Sequence, residues 1–196
     1  MVESCMKELT FYIVDVFAEQ KYAGNQLAVV RDARSLPDVQ MQKIAKEMHF
    51  SETTFILSDK KRKRGYDVRI FTPEHELPFA GHPTLGTAYV IQQKIIKKNV
   101  DKLVLNLRVG QIPVTFSYRK ELPDTLYMKQ AEPVFGQSLD AGTISEILNL
   151  GFQDVDEGFP IQEVSTGVPF IIVPLKNLDA VKRARIARDK YFRLVE

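Results

Sequence analysis

The stretch Phe79-Ala80-Gly81-His82-Pro83-Thr84-Leu85-Gly86-Thr87-Ala88-Tyr89-Val90-Ile91 decides the fold of this chain. It reads as a helix beginning near Pro83. Leu85, Ala88, Tyr89, Val90 and Ile91 leave almost no polar face until Gln92, Gln93 and Lys94. A helix apolar all round must be enclosed by protein. Its neighbours in sequence read as strands, so the enclosure expected is a strongly curved sheet wrapped around it. Upstream, Ser51-Glu52-Thr53-Thr54-Phe55 places a single carboxylate on a strand, and Gly81-His82-Pro83-Thr84 forms a turn at the helix mouth. A proton acceptor would then face a ready-made anion site, because the first backbone N–H groups of a helix lack partners. That pairing suits an enzyme that moves a proton on a small carboxylic acid.

Working outward, Phe11 to Phe17 and Leu27 to Val30 read as strands joined by a turn at Tyr22-Ala23-Gly24-Asn25-Gln26, with glycine and asparagine available for positive φ. A helix follows from about Pro37, a residue suited to a first turn. Met41, Ile44, Ala45 and Met48 recur at helical spacing, so this helix covers a sheet on one face only. Thr53 to Leu57 and Asp67 to Phe71 form a hairpin tipped by Asp59 to Gly65. Leu103 to Arg108 and Ile112 to Tyr118 form another around Val109-Gly110-Gln111.

The charged, proline-containing run Arg119 to Asp124 marks the expected boundary, giving a domain over 1–119 and a partial one over 120–196. Beyond it come a strand from Thr125 to Lys129, a helix from Ser138 to Leu150 with Gly151 as its stop, and strands at Ile161 to Ser165 and Phe170 to Val173. Basic, helix-prone sequence follows from Asn177. This second unit has no all-apolar helix and reads as incomplete.

Composition bounds the function. The chain has 196 residues, 44% of them hydrophobic, enough for one good core or two modest ones. A net charge of +2 gives no reason to expect a nucleic-acid partner. No apolar run is long enough to span a bilayer, the N-terminus lacks a signal-like stretch, and the one cysteine, Cys5, cannot form an internal disulfide. The expected location is therefore cytoplasmic. His49, His75 and His82 do not pair with Cys or acidic residues at ligand spacing, so no metal is expected. No phosphate-binding glycine motif is present. Lys60 to Arg64 reads as a solvated hairpin tip, and Lys182, Arg183, Arg185 and Arg188 as the polar face of a closing helix.

Several stretches recur together in one order: Phe11 to Val30 with Gly24-Asn25, Met41 to Phe55, Phe71-Thr72-Pro73, Leu77 to Gly86, and Ser165-Thr166-Gly167-Val168-Pro169. In these the chain resembles the PhzF-type phenazine-biosynthesis family, relatives of diaminopimelate epimerase. The resemblance implies an α+β, diaminopimelate epimerase-like fold: a β-barrel-like roll around a central helix near 83–96, with a second similar domain that is incomplete here. It also implies a cofactor-free, biosynthetic isomerase with Glu52 as the acid/base and Gly81 and His82 lining the substrate pocket. Ser51 would support Glu52, and Asn25 is a further candidate for binding the substrate carboxylate. Two departures stand out. Gln26 replaces the usual proline of the Gly-Asn-Pro turn, and family members continue well past residue 196.

Physically, Glu52 needs a pKa drawn toward working pH, which partial burial beside Phe50 and Phe55 could supply. One carboxylate can take a proton from one carbon and return it to another on the same face. A two-thiol racemase needs facing cysteines, and this chain has only Cys5, with glycine where the first thiol would stand. The rival readings are a non-catalytic homologue acting as an interaction protein and a small-acid binding module. A partial barrel leaves strand edges open, and the resemblance leaves room for a homodimer.

Overall fold

The computed structural model describes residues 8–195, so Cys5 lies outside the described residues. The chain divides into two compact units, Met1–Gln130 and Ala131–Glu196.

In the first unit eight strands form one mixed sheet: β1 Phe11–Val16, β2 Asn25–Val30, β3 Glu52–Ile56, β4 Tyr66–Phe71, β5 Glu76–Leu77, β6 Lys102–Leu107, β7 Gly110–Arg119 and β8 Leu122–Met128. The path runs β1-β2-β3-β4-β6-β7-β8, with β5 on β4. Most neighbours are antiparallel, whereas β2–β3 and β4–β6 are parallel. Helix α1 spans Asp38–Met48. Helix α2 spans Gly81–Val90 and widens into a π-helical turn at Ile91–Ile96.

The sheet curls around α2, which packs on β1, β2, β3, β6 and β8. Pro83, Gly86, Ala88, Val90 and Ile91 are buried, as an apolar helix requires. Gly86 permits the closest approach. A Cβ there would fall 2.7 Å from Leu27 Cδ2 and 2.8 Å from Val16 Cγ2. Tyr89 departs from the expectation, being 39% exposed. The sheet path ends at β1 and β8 without joining them, and a groove of ≈ 970 Å³ lined by Ile13, Tyr89 and Leu126 opens on that side.

Alternation along the strands sorts two cores. Val29 and Ile56 face the α2 side, while Phe55 and Phe71 pack edge to face beneath Met41 and Ala45 of α1. Pro37 stands just before α1 as its N-cap, and His49 ends that helix at φ 56°. The basic tip is exposed as expected. Asp67 anchors it by accepting hydrogen bonds from Arg62 Nε at 2.6 Å and Asn106 Nδ2 at 2.8 Å.

Arg119 to Asp124 is a tight hairpin, with Lys120 and Glu121 at φ 50° and 67° joining β7 to β8. The strand expected to open the second unit is thus β8 of the first sheet, and the chain divides after Gln130. Charge and proline mark an exposed turn as readily as a linker.

The second unit holds the three-stranded sheet β11-β10-β9, formed by β9 Val134–Ser138, β10 Gln162–Ser165 and β11 Pro169–Ile172. Its helices are α3 Ala141–Ile147, α4 Leu178–Arg183 and α5 Arg188–Val195. Asp140, not Ser138, opens α3 by accepting the Thr143 N–H at 2.7 Å. Asn149 at φ 52° follows the helix where Gly151 was expected to end it. The single closing helix expected from Asn177 is split into α4 and α5, and Arg183 pairs with Asp154 and Asp179. Among the described residues no helix is long and apolar enough to cross a membrane.

One buried polar contact ties the sheet to its helix: the hydroxyls of Thr54 on β3 and Thr87 on α2 lie 2.7 Å apart, both residues fully buried. Thr54→Val strands the Thr87 hydroxyl and is expected to destabilise the chain by about 1–3 kcal/mol. The double variant Thr54→Val/Thr87→Val should lose less than the sum of the two single changes in urea unfolding, and strict additivity would show that the bond contributes nothing.

Candidate active site

Strand alternation aims the candidate residues. Leu27 approaches Gly86 and Thr54 bonds Thr87, so these strand positions face α2. In the parallel β2–β3 register Leu27 lies opposite Glu52. Asn25 and Glu52, two residues before Leu27 and Thr54, therefore share that face and reach the first turn of the helix. Phe55 is three residues from Glu52 and faces away. The desolvation expected from Phe55 thus comes instead from the α2 side of the sheet.

His82 is the meeting point. Its Nε2 lies 3.4 Å from Glu52 Oε2, and its Nδ1 lies 3.3 Å from Asn25 Nδ2. The side chains of His82 and Glu52 are 9% and 16% exposed. Among the described residues, Glu52 Oε2 and His82 Nε2 are buried without a well-formed hydrogen bond. Their separation exceeds that of a strong charge-assisted bond, typically about 2.7–2.9 Å. Burial raises the Glu52 pKa above the ordinary glutamate range. Burial also lowers the His82 pKa, with a hydrogen bond to the Gln26 backbone opposing it. Both shifts disfavour charge, so a proton on Glu52 lies closer to neutral pH than on an exposed carboxylate.

Helix α2 begins at Gly81, earlier than the expected start near Pro83. Thr84 donates its N–H to Ala80 O at 3.3 Å, and the Leu85 N–H falls within the regular ladder. The anion cradle expected from Gly81 to Leu85 therefore narrows to the N–H groups of Gly81 and His82. Gly81 sits against β8: a Cβ there would lie 3.2 Å from Met128 Cε.

Ser51 is exposed, and among the described residues no hydrogen bond joins it to Glu52. Its place is in a pocket of ≈ 290 Å³ shared with Asn25, Asp15, Tyr22, His49 and Phe50. Asp15 and Tyr22 were read only as parts of a strand and a turn, not as pocket residues. Phe17, Tyr22 and Gly24 all take positive φ, and the Tyr22 N–H donates to Asp15 Oδ2 at 3.1 Å. Only Gly24-Asn25 advertised this loop, since a left-handed Phe or Tyr has no sequence signal. Gly24 itself is obligatory, because a Cβ there would meet Val16 O at 2.4 Å.

A family model described as phenazine biosynthesis-like protein, PhzC-PhzF, matches residues 14–192. The chain belongs to this family. The trans-2,3-dihydro-3-hydroxyanthranilate isomerase of Pseudomonas fluorescens is 37% identical over 174 residues, covering 87% of this chain and 59% of that protein. An uncharacterized isomerase of Mesorhizobium japonicum is 33% identical, covering 96% of this chain and 63% of the relative. Among solved structures, a PhzF-family protein from Bacillus anthracis superposes with a TM-score of 0.82 at 30% identity, covering 93% of this chain and 60% of that one. A hydroxyproline epimerase from Agrobacterium vitis, at 12% identity and a TM-score of 0.56, shares the fold alone. The fold is thus α+β and epimerase-like. The chain spans about three fifths of the length of the curated relatives it matches.

Because burial favours protonated Glu52, the native state binds that proton more tightly than the unfolded chain does. The resulting stability is present at acid pH and falls as pH rises through the raised pKa. Glu52→Gln removes the buried charge, so its melting temperature should exceed that of the unsubstituted chain above neutral pH and match it near about pH 4. An equal gain at both pH values would refute the burial argument.

Proposed function

We propose that this chain is a PhzF-like, cofactor-independent isomerase polypeptide that moves a proton on a small cyclic or conjugated carboxylic acid. The observation that carries the reading is the buried Glu52 carboxyl facing His82 at the first turn of α2, 3.4 Å away. Glu52 takes a proton from a carbon adjacent to a double bond. The electron pair shifts along the conjugated system, and the same carboxyl returns the proton at the far end. The step is redox-neutral and needs one acid/base. The N–H groups of Gly81 and His82 receive the substrate carboxylate, supported by the positive end of the helix dipole, and Ser51 and Asn25 line a neighbouring pocket. The isomerase names of the relatives support the same chemistry.

The test is hydrogen exchange. Incubated in deuterated water with trans-2,3-dihydro-3-hydroxyanthranilate, the substrate named for the relative, the chain should incorporate deuterium at carbon. Glu52→Gln, with its fold confirmed by circular dichroism, should slow incorporation by about 10²–10⁴-fold. Undiminished incorporation in that variant would remove Glu52 from the role.

A second reading, association with another protein chain, is favoured by exposed apolar groups in each unit. Tyr89 borders the open groove of the first, while Phe135 and Phe170 are each 63% exposed on the sheet of the second. Light scattering on the purified chain is expected to show a dimer or larger species. A monomer at high concentration would count against self-association.

A further inference from the structure

The contact between Asn25 and His82 constrains the state of the ring. An amide NH₂ group can only donate, so for Asn25 Nδ2 to bond the ring nitrogen 3.3 Å away, that nitrogen must present its lone pair. A neutral imidazole carries one ring proton. With Nδ1 accepting, that proton resides on Nε2, which faces Glu52 Oε2 at 3.4 Å. Neither of these buried atoms has another hydrogen-bond partner among the described residues.

We propose that Asn25 is a positioning residue that sets the His82 tautomer, holding the ring proton on Nε2 so that it is directed at Glu52 Oε2 and leaves Oε1 to work on the substrate carbon. The proposal rests on the acid/base reading of Glu52 and refines it in two ways. It assigns the two carboxyl oxygens different tasks, one held by His82 and one reactive. It also gives Asn25 a task at its amide nitrogen, which lies 3.3 Å from the His82 ring. The Gln26 backbone works in the opposite sense, since a carbonyl accepting from the ring can favour a proton on Nδ1. Asn25 and Gln26, adjacent in the chain, thus compete for the same ring. This competition makes the tautomer a property that one side chain can switch.

The tautomer is read directly from the ¹⁵N shifts and long-range ¹H–¹⁵N couplings of His82 in the ¹⁵N-histidine-labelled full chain. The unsubstituted chain should show a pyrrole-type Nε2 and a pyridine-type Nδ1. Asn25→Asp, nearly isosteric, puts an acceptor where the donor stood, and Nδ1 should become protonated. Asn25→Ala removes the donor and should give a mixture as the Gln26 backbone gains influence. A proton on Nδ1 in the unsubstituted chain, or a bare Nδ1 in Asn25→Asp, would overturn the proposal. The spectrum does not depend on turnover. Absent deuterium incorporation alongside an Nε2–H tautomer would remove the acid/base reading and with it the task given to Oε1, leaving only the tautomer assignment to Asn25. Incorporation alongside an Nδ1–H tautomer would overturn the Asn25 proposal and leave the isomerase reading standing.

Discussion

Enclosure of α2 is the constraint on which the first unit depends. Its residues are apolar on almost every side, so stability requires a sheet that bends around it rather than lying flat beneath it. The first turn of the helix cannot satisfy its own N–H groups, and here it lies inside the curl against strand ends. Parallel pairing of β2 with β3 then brings both strand starts to that turn, which is how Asn25 and Glu52 come to share His82. The candidate site is a by-product of covering the helix. Close approach at Gly86 and the buried Thr54–Thr87 pair hold the strands at the distance that makes this geometry possible.

Electrostatics at the site runs against charge. A carboxyl and an imidazole that met in water could exchange a proton and form an ion pair. Here burial penalises both ionised forms, and a 3.4 Å separation recovers little of that loss. Burial raises the Glu52 pKa with no close cation among the described residues to hold the charged form, which is compatible with the proton-transfer role proposed for it. Arg69 shows the contrast: its guanidinium holds Glu76 and Asp38 in tight ion pairs that fasten β4 to β5 and α1.

The sheet leaves the curl open between β1 and β8, and Tyr89 is exposed along that gap. In the second unit one face of the three-stranded sheet is backed by Ile144, Ile147 and Val155, whereas Phe135 and Phe170 stand in solvent. Exposed aromatic groups beside open strand edges are surfaces on which another polypeptide can gain apolar contact.

The sequence by itself determined what is local or periodic. The apolar run from Leu85 to Ile91, the alternation of the strands and the α1 stripe at Met41 and Ala45 were legible because each is a matter of residue type at fixed spacing, whereas the grouping of Glu52 with Gly81-His82 came from the family resemblance. Tertiary structure alone decided the rest. Alternation alone puts Glu52 and Phe55 on opposite faces of β3, but which of those faces meets α2 and which meets α1 was decided by packing. How many helix amides remain free depends on where the first turn closes, and this left only Gly81 and His82. Whether Arg119 to Asp124 is a linker or a hairpin depends on β8 finding β7. The approach of Asn25 to the His82 ring links positions 57 residues apart, a distance across which no propensity or pattern carries information.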